Sequence, residues 1–197
     1  PTRWWVNGRE STTVHAADRG LQYGDGVFET LRIRAGQPRF ATLHWQRLQQ
    51  GCERLQISGV DVEQIDAQLR DAVHDVEFGM AKIIVTRGIA EQRGYAPGLG
   101  AAPTWIMTVT AALDPWPTTA RVQFSSIVLG ESPMLAGIKH LNRLENVLAR
   151  TAQPAECEEV LMCSSHGNVI GGSSTNVFAV KSGVLLTPRV DRCGVAG

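Results

Sequence analysis

Hydrophobic and polar positions change their period several times along the chain, and each change predicts an element. Trp4-Trp5-Val6 reads as a strand closed by Asn7-Gly8, a hairpin signal because both turn residues tolerate positive φ. From Val27 to Arg34 the alternation is strict: Val27, Glu29, Leu31 and Ile33 share one side, Phe28, Thr30, Arg32 and Arg34 the other. This predicts a strand, ended by Ala35-Gly36. The period then lengthens. Leu48, Cys52 and Leu55 fall on one face of a helix from Leu43 to Leu55 with Thr42 as its cap, and Ile65, Leu69 and Val73 on one face of a second helix capped by Asp61. Lys82 to Thr86 and Trp105 to Thr110 return to β-rich composition, so the first part of the chain predicts an α+β unit.

Asp114-Pro115-Trp116-Pro117 interrupts this pattern, since two prolines in four residues disfavour helix interiors and central strands alike. We therefore expect a first lobe over residues 1–113, a linker at 114–118 and a second lobe over 119–197. The second lobe predicts a strand near Val122 to Leu129 and a helix with Leu141, Leu144, Val147 and Leu148 inward. Further strands are expected near Val160 to Cys163 and Asn176 to Val180, with Lys181-Ser182-Gly183 turning into Val184 to Leu186.

Bulk composition narrows the classes of function. Nineteen basic residues balance nineteen acidic ones, so no electrostatic case for a nucleic-acid partner arises. Cys52, Cys157, Cys163 and Cys193 show neither paired CxxC spacing nor a His-rich neighbourhood, which argues against a metal site or a disulfide framework and fits a reducing cytoplasm. There is no basic-then-apolar leader and no apolar run of bilayer length, so neither secretion nor a membrane partner is expected.

Lys139 carries the chemical signal. A lone lysine normally extends into water. From Pro133 to Leu141, however, the only other ionisable side chain is His140, so an ammonium held there would be poorly hydrated and its charged form disfavoured. An amine in that state is a nucleophile near neutrality, suited to forming a Schiff base with a carbonyl compound such as pyridoxal phosphate. Composition alone leaves the solvated and the chemical readings both open.

Three motifs decide between them: Asp18-Arg19-Gly20 through Tyr23-Gly24-Asp25-Gly26-Val27-Phe28-Glu29-Thr30, then Leu43-His44-Trp45-Gln46-Arg47-Leu48, then Leu135-Ala136-Gly137-Ile138-Lys139-His140-Leu141-Asn142-Arg143-Leu144-Glu145. Together they resemble the fold-type IV pyridoxal-phosphate enzymes and, within them, the 4-amino-4-deoxychorismate lyases of folate biosynthesis. The first two are similar to motifs of branched-chain and D-amino-acid aminotransferases; the third resembles the lyases specifically. The resemblance implies a two-lobed α+β fold of the aminotransferase class IV type, pyridoxal 5'-phosphate as cofactor, a small-molecule substrate and a homodimer. It implies a carbon–oxygen lyase that converts 4-amino-4-deoxychorismate to 4-aminobenzoate and pyruvate.

Carried over by position, the resemblance makes Lys139 the residue that binds the cofactor covalently and later moves the proton. Arg47 would hold the cofactor phosphate, a role its guanidinium fork suits, although a helical arginine by itself reads as a solvated face residue. Cys193-Gly194-Val195-Ala196-Gly197 resembles a glycine-rich turn in which the backbone of Val195 and Ala196 cradles the same phosphate. Tyr23, Phe28 and Arg32 match substrate-side positions, while without the resemblance Phe28 reads as core and Arg32 as solvated. Arg93 and Tyr95 lie in an Arg-Gly-Tyr loop that would meet a substrate carboxylate or serve only as surface.

Two departures stand out. The carboxylate that relatives set against the pyridine nitrogen falls at Gly171, within Ile170-Gly171-Gly172-Ser173-Ser174-Thr175-Asn176, so a water, Ser173 or Ser174 would have to substitute for it. The resemblance also implies a helix and strands beyond Gly197, which leaves the second lobe incomplete as given. An aminotransferase of the same fold is the alternative enzyme, and a non-catalytic homologue used for binding or dimerisation is the alternative of another class.

Overall fold

The computed structural model describes residues 2–90, 94–98, 100–112 and 119–197. The stretch 114–118, read as a linker, and Arg93 lie outside these residues. The chain divides into two compact units, Pro1–Pro115 with Lys139–Asn142, and Trp116–Ile138 with Arg143–Gly197. Four residues from the second half of the sequence, beginning with Lys139, thus belong to the first unit.

The first unit contains β1 (Thr2–Val6), β2 (Arg9–Glu10), α1 (Arg19–Tyr23), β3 (Gly26–Arg34), β4 (Gln37–Pro38), α2 (Ala41–Leu55), α3 (Val62–Val73), β5 (Phe78–Thr86) and β6 (Thr104–Ala111). Its sheet runs β2-β1-β6-β5-β3-β4, with antiparallel neighbours throughout. Asn7 and Gly8, with φ of 47° and 81°, form the two-residue turn between β1 and β2, as the sequence predicts. The strict alternation of β3 sorts its residues by face: Val27, Glu29, Leu31 and Ile33 are buried, whereas Phe28, Thr30 and Arg32 are half-buried. The buried face packs on α2 and shares one hydrophobic core with Trp45, Leu48 and Cys52 of α2 and Ile65, Leu69 and Val73 of α3.

Helix α3 starts where its sequence signal places it, with the Asp61 carboxylate accepting from the Gln64 amide at 2.9 Å. Helix α2 does not. It begins at Ala41 after Phe40 in the left-handed region (φ 54°), and Thr42 lies inside its first turn. Pairing of β4 with the end of β3 fixes the chain up to Pro38, and Phe40 turns it directly into the helix, leaving no position for a Thr42 cap.

The second unit contains β7 (Val122–Leu129), α4 (Leu144–Thr151), β8 (Glu159–Ser164), β9 (Val169–Gly172), β10 (Ala179–Lys181) and β11 (Val184–Leu186). Strands β7 and β8 are parallel, which requires a crossover that α4 lies within, and β9 adds antiparallel to β8. Leu129, Ala149, Val160, Met162, Ile170 and Cys193 form its core.

The helix orientation corrects the sequence expectation. Leu144, Val147 and Leu148 are exposed, and Leu141 precedes the helix. The face turned inward carries Glu145, Asn146 and the buried Ala149. Hydrogen bonds choose that face: Asn146 Nδ2 donates to the Ser173 carbonyl at 2.8 Å, and Glu145 accepts from the Gly130 amide at 2.9 Å. The strand expected at Asn176 to Val180 shrinks to β10, because Asn176 Nδ2 is bound to the Val195 carbonyl and the preceding turn is held by Glu159. Strand β9 was not foreseen; two of its four residues are glycine, which lowers strand propensity.

Glu159 organises that turn. Its buried carboxylate accepts from the amides of Val160 (2.9 Å), Ser173 (3.1 Å) and Ser174 (3.2 Å) and from the hydroxyls of Ser173, Ser174 and Thr175. Burial alone would raise its pKa, but the hydrogen bonds from Ser173, Val160 and Ser174 outweigh it and bring the group down to about 2. A depressed carboxylate stabilises the fold above its ordinary value of 4.5 and loses that contribution as pH falls towards 2. Glu159→Gln should lower unfolding stability at pH 7 by about 1–3 kcal/mol. The difference from the unsubstituted protein should shrink at pH 3 in urea melts. Equal midpoints at pH 7 would rule this account out.

Candidate functional site

The position of Lys139 follows from backbone pairing. The Phe28 amide donates to the Lys139 carbonyl at 2.8 Å and the Leu141 amide to the Gly26 carbonyl at 3.0 Å, with Val27 and His140 bridged antiparallel between them. Residues 139–141 thus extend the sheet beside the start of β3. Directly opposed residues project to the same face, so Lys139 joins Phe28 and His140 joins Val27. The Lys139 Nζ lies 4.5 Å from the centroid of the Phe28 ring.

Close approach of this segment explains the Gly-Asp-Gly motif. A Cβ on Gly24 would come within 2.6 Å of Asn142 Oδ1, and one on Gly26 within 2.4 Å of the Val85 carbonyl and 2.8 Å of Leu141. Gly24 also takes φ 65° at the end of α1 and accepts at its carbonyl from Asn142 Nδ2 at 3.1 Å. The first and third sequence motifs are therefore one spatial unit.

Lys82 is a candidate site residue that the sequence reading missed. It faces Thr30 across β5 and β3, and its Nζ lies 5.0 Å from the same Phe28 ring. Arg32, two residues beyond Thr30, shares this face. The signal was available in principle, because Lys82 occupies an outward position among the buried Ala81 and Ile83, but only the register reveals which side chains it meets.

Arg47 lies on the other side of β3. Its Nε and Nη2 fork onto the Glu29 carboxylate at 2.7 and 2.5 Å, and His44 Nδ1 is 2.7 Å from the same group. Burial raises the Glu29 pKa, but hydrogen bonds from Arg47 and His44 outweigh it and hold the carboxyl below the usual glutamate range. Tyr23 and Tyr95 are brought together, ring centroids 5.6 Å apart, around the Arg19 guanidinium.

In the second unit, Gly171 is buried in β9, and a Cβ there would lie 3.1 Å from the Thr175 carbonyl. The hydroxyl hydrogens of Ser173 and Ser174, considered as substitutes for the missing carboxylate, are given to Glu159. Val195 accepts from Asn176, and the Ala196 amide donates to the Gly137 carbonyl at 3.0 Å. Arg143 donates to the Ile138 carbonyl at 3.0 Å; burial brings its pKa down to about 10, which leaves it charged at neutral pH.

Comparison with known proteins gives a consistent picture. Residues 26–197 match the family described as amino-transferase class IV. The chain is 32% identical to an aminodeoxychorismate lyase of Vibrio harveyi over 98% of its own length and 73% of that protein. It is 30% identical to a putative branched-chain-amino-acid aminotransferase of Methanocaldococcus jannaschii, covering 94% and 68%. Among solved structures, the 4-amino-4-deoxychorismate lyase of Pseudomonas aeruginosa superposes with a TM-score of 0.89 at 42% identity, covering 98% of this chain and 73% of that one. No helix among the described residues is long and apolar enough to cross a membrane.

Glu29, fully buried, accepts from Arg47 and lies against His44. Glu29→Ala should therefore destabilise the protein by about 3 kcal/mol, since it removes the carboxylate partner of a largely buried guanidinium. Urea melts test this, and an unchanged midpoint would show the pairing to be energetically idle.

Proposed function

Because the chain belongs to the amino-transferase class IV family, whose cofactor is pyridoxal phosphate, we propose that it is a 4-amino-4-deoxychorismate lyase, releasing pyruvate and 4-aminobenzoate. The observation that carries this reading is the register that sets the Lys139 amine beside the Phe28 ring, which Lys82 also approaches. A primary amine, an aromatic ring and the cations Lys82 and Arg32 form a donor set that fits an aldehyde-bearing cofactor and an anionic substrate. The 42% identity to the Pseudomonas lyase and the lyase-like motif around Lys139 support elimination over amino-group transfer.

In this reading Lys139 attaches the cofactor. When bound, pyridoxal phosphate draws electrons away from the substrate carbon that bears the amino group. The released Lys139 amine takes the proton from that carbon and returns a proton to the departing enolpyruvate, which leaves as pyruvate. Lys82 and Arg32 hold substrate carboxylates, Phe28 and Tyr23 line the ring, and Arg93 and Tyr95 complete recognition. The family resemblance assigns the cofactor phosphate to Arg47 and to the backbone of Val195 and Ala196, and Arg47 would then share its cation between that phosphate and Glu29. Gly171 supplies no carboxylate to the pyridine nitrogen, and in this reading formation of an aromatic product supplies driving force that makes a weaker electron sink tolerable. The reading includes a homodimeric, cytoplasmic enzyme of 4-aminobenzoate supply for folate synthesis.

Borohydride reduction after addition of pyridoxal phosphate, followed by peptide mapping, should label Lys139, and Lys139→Ala should abolish the label and lower pyruvate formation by at least about a thousandfold. Lys82→Met should raise KM about tenfold, equivalent to about 1.4 kcal/mol of lost substrate binding. The aminotransferase relatives favour a second reading, which predicts amino-group transfer to a keto acid and no pyruvate from aminodeoxychorismate. Absence of label on the folded chain would reject both.

A further inference from the structure

Arg19 binds the connection between β5 and β6 at two separate points. Its backbone amide donates to the Gly88 carbonyl at 2.9 Å. Its side chain, 4% exposed, gives Nη1 to the Gly94 carbonyl at 2.9 Å and Nη2 to the Tyr95 carbonyl at 2.8 Å, while Nε donates to Asp25 at 2.8 Å. The face of the guanidinium lies 4.7 Å from the Tyr23 ring centroid. Gly94 takes φ 113°, a conformation open to glycine, and this lets two successive carbonyls point at one cation.

This grip is anchored at a distance. Asp25 is also bound by Arg87, through Nε at 2.8 Å and Nη2 at 3.0 Å, and Arg87 in turn donates to the carbonyls of Leu55 and Gln56 at the end of α2. The loop is thereby tied through Arg19, Asp25 and Arg87 to a helix terminus in the core of the first unit. Three separate nitrogens of one planar fork meet a carboxylate and two carbonyls here; the three donors of an ammonium radiate from a single atom and do not match that spread.

We propose that Arg19 is a positioning residue for substrate recognition: it fixes the Gly94-Tyr95 backbone so that Tyr95 and Tyr23 stand together as an aromatic wall for a ring-bearing carboxylate. This rests on the reading of both tyrosines as substrate-side residues. Arg19 itself touches no reacting atom in that account.

The chain contains two tyrosines, Tyr23 and Tyr95, so 3-fluorotyrosine labelling gives two 19F resonances, both from this cluster. Tyr23→Phe and Tyr95→Phe assign them. In the full chain loaded with pyridoxal phosphate, Arg19→Lys and Arg19→Met should move both resonances towards the position of free fluorotyrosine and raise KM about tenfold or more, with kcat changed less. Arg3→Met serves as the comparison. It removes a cation that binds the Ala72 carbonyl and Asp75 and has no part in the Arg19–Asp25–Arg87 chain, and it should lower the unfolding midpoint while leaving the resonances and KM in place. Wild-type resonances in the Arg19 variants would overturn the proposal, as would Arg3→Met reproducing their changes. Failure of the unsubstituted enzyme to release pyruvate would sink the lyase reading, and the resonances would still decide whether Arg19 holds the loop.

Discussion

The pairing of residues 139–141 with Gly26–Phe28 is the constraint on which the rest of the first unit's chemistry depends. Two backbone hydrogen bonds contribute only about 1 kcal/mol each, so their importance lies in register. A slip of one residue would exchange Lys139 and His140 between faces, placing the imidazole beside Phe28 and an ammonium on the core side with Val27. Side chains pin the register against such a slip. Leu141 packs against Gly26, and Asn142 reaches the Gly24 carbonyl, contacts that a Cβ at either glycine would block. The invariance of geometry required here accounts for two glycines that a sequence pattern alone would assign to a loose turn.

Charge is distributed so that three carboxylates largely shielded from water each have a defined task. Asp25 joins Arg19 to Arg87, Glu29 joins Arg47 to His44, and Glu159 closes the Ser173–Thr175 turn. All three have pKa values below their ordinary range because hydrogen bonds to the ionised form exceed the cost of burial. The consequence for Arg47 is specific. Two of its nitrogens already meet Glu29 in ideal fork geometry, so a phosphate recruited by Arg47 must share the cation with Glu29 or displace it.

Elements governed by local periodicity were legible in the sequence. The β3 alternation, the Asp61 cap, the Asn7-Gly8 hairpin and the span of β7 follow from neighbours a few residues apart. Lys139 was legible as an anomaly, an amine in an apolar run. What depended on partners distant in sequence was not. Helix α4 has a persuasive apolar stripe at Leu144, Val147 and Leu148, yet Asn146 and Glu145 turn it the other way by binding Ser173 and Gly130. Glu159 resembled any acidic residue ahead of a strand, and Arg19 any charged residue of a glycine-rich motif, until their acceptors and donors were in place.

The two faces of β3 complete the account. On the helix side the strand presents Glu29, neutralised by Arg47 within the core. On the other side the register brings Phe28, Thr30 and Arg32 alongside Met80, Lys82 and Ile84 of β5 and Ile106, Thr108 and Thr110 of β6, and none of these residues is acidic. With Lys139 added, three cations share this face, although the chain as a whole carries no net charge. Mutual repulsion among like charges on a sheet is unfavourable. An anion bound to such a face relieves that repulsion, which is the electrostatic ground for the proposed dicarboxylate substrate.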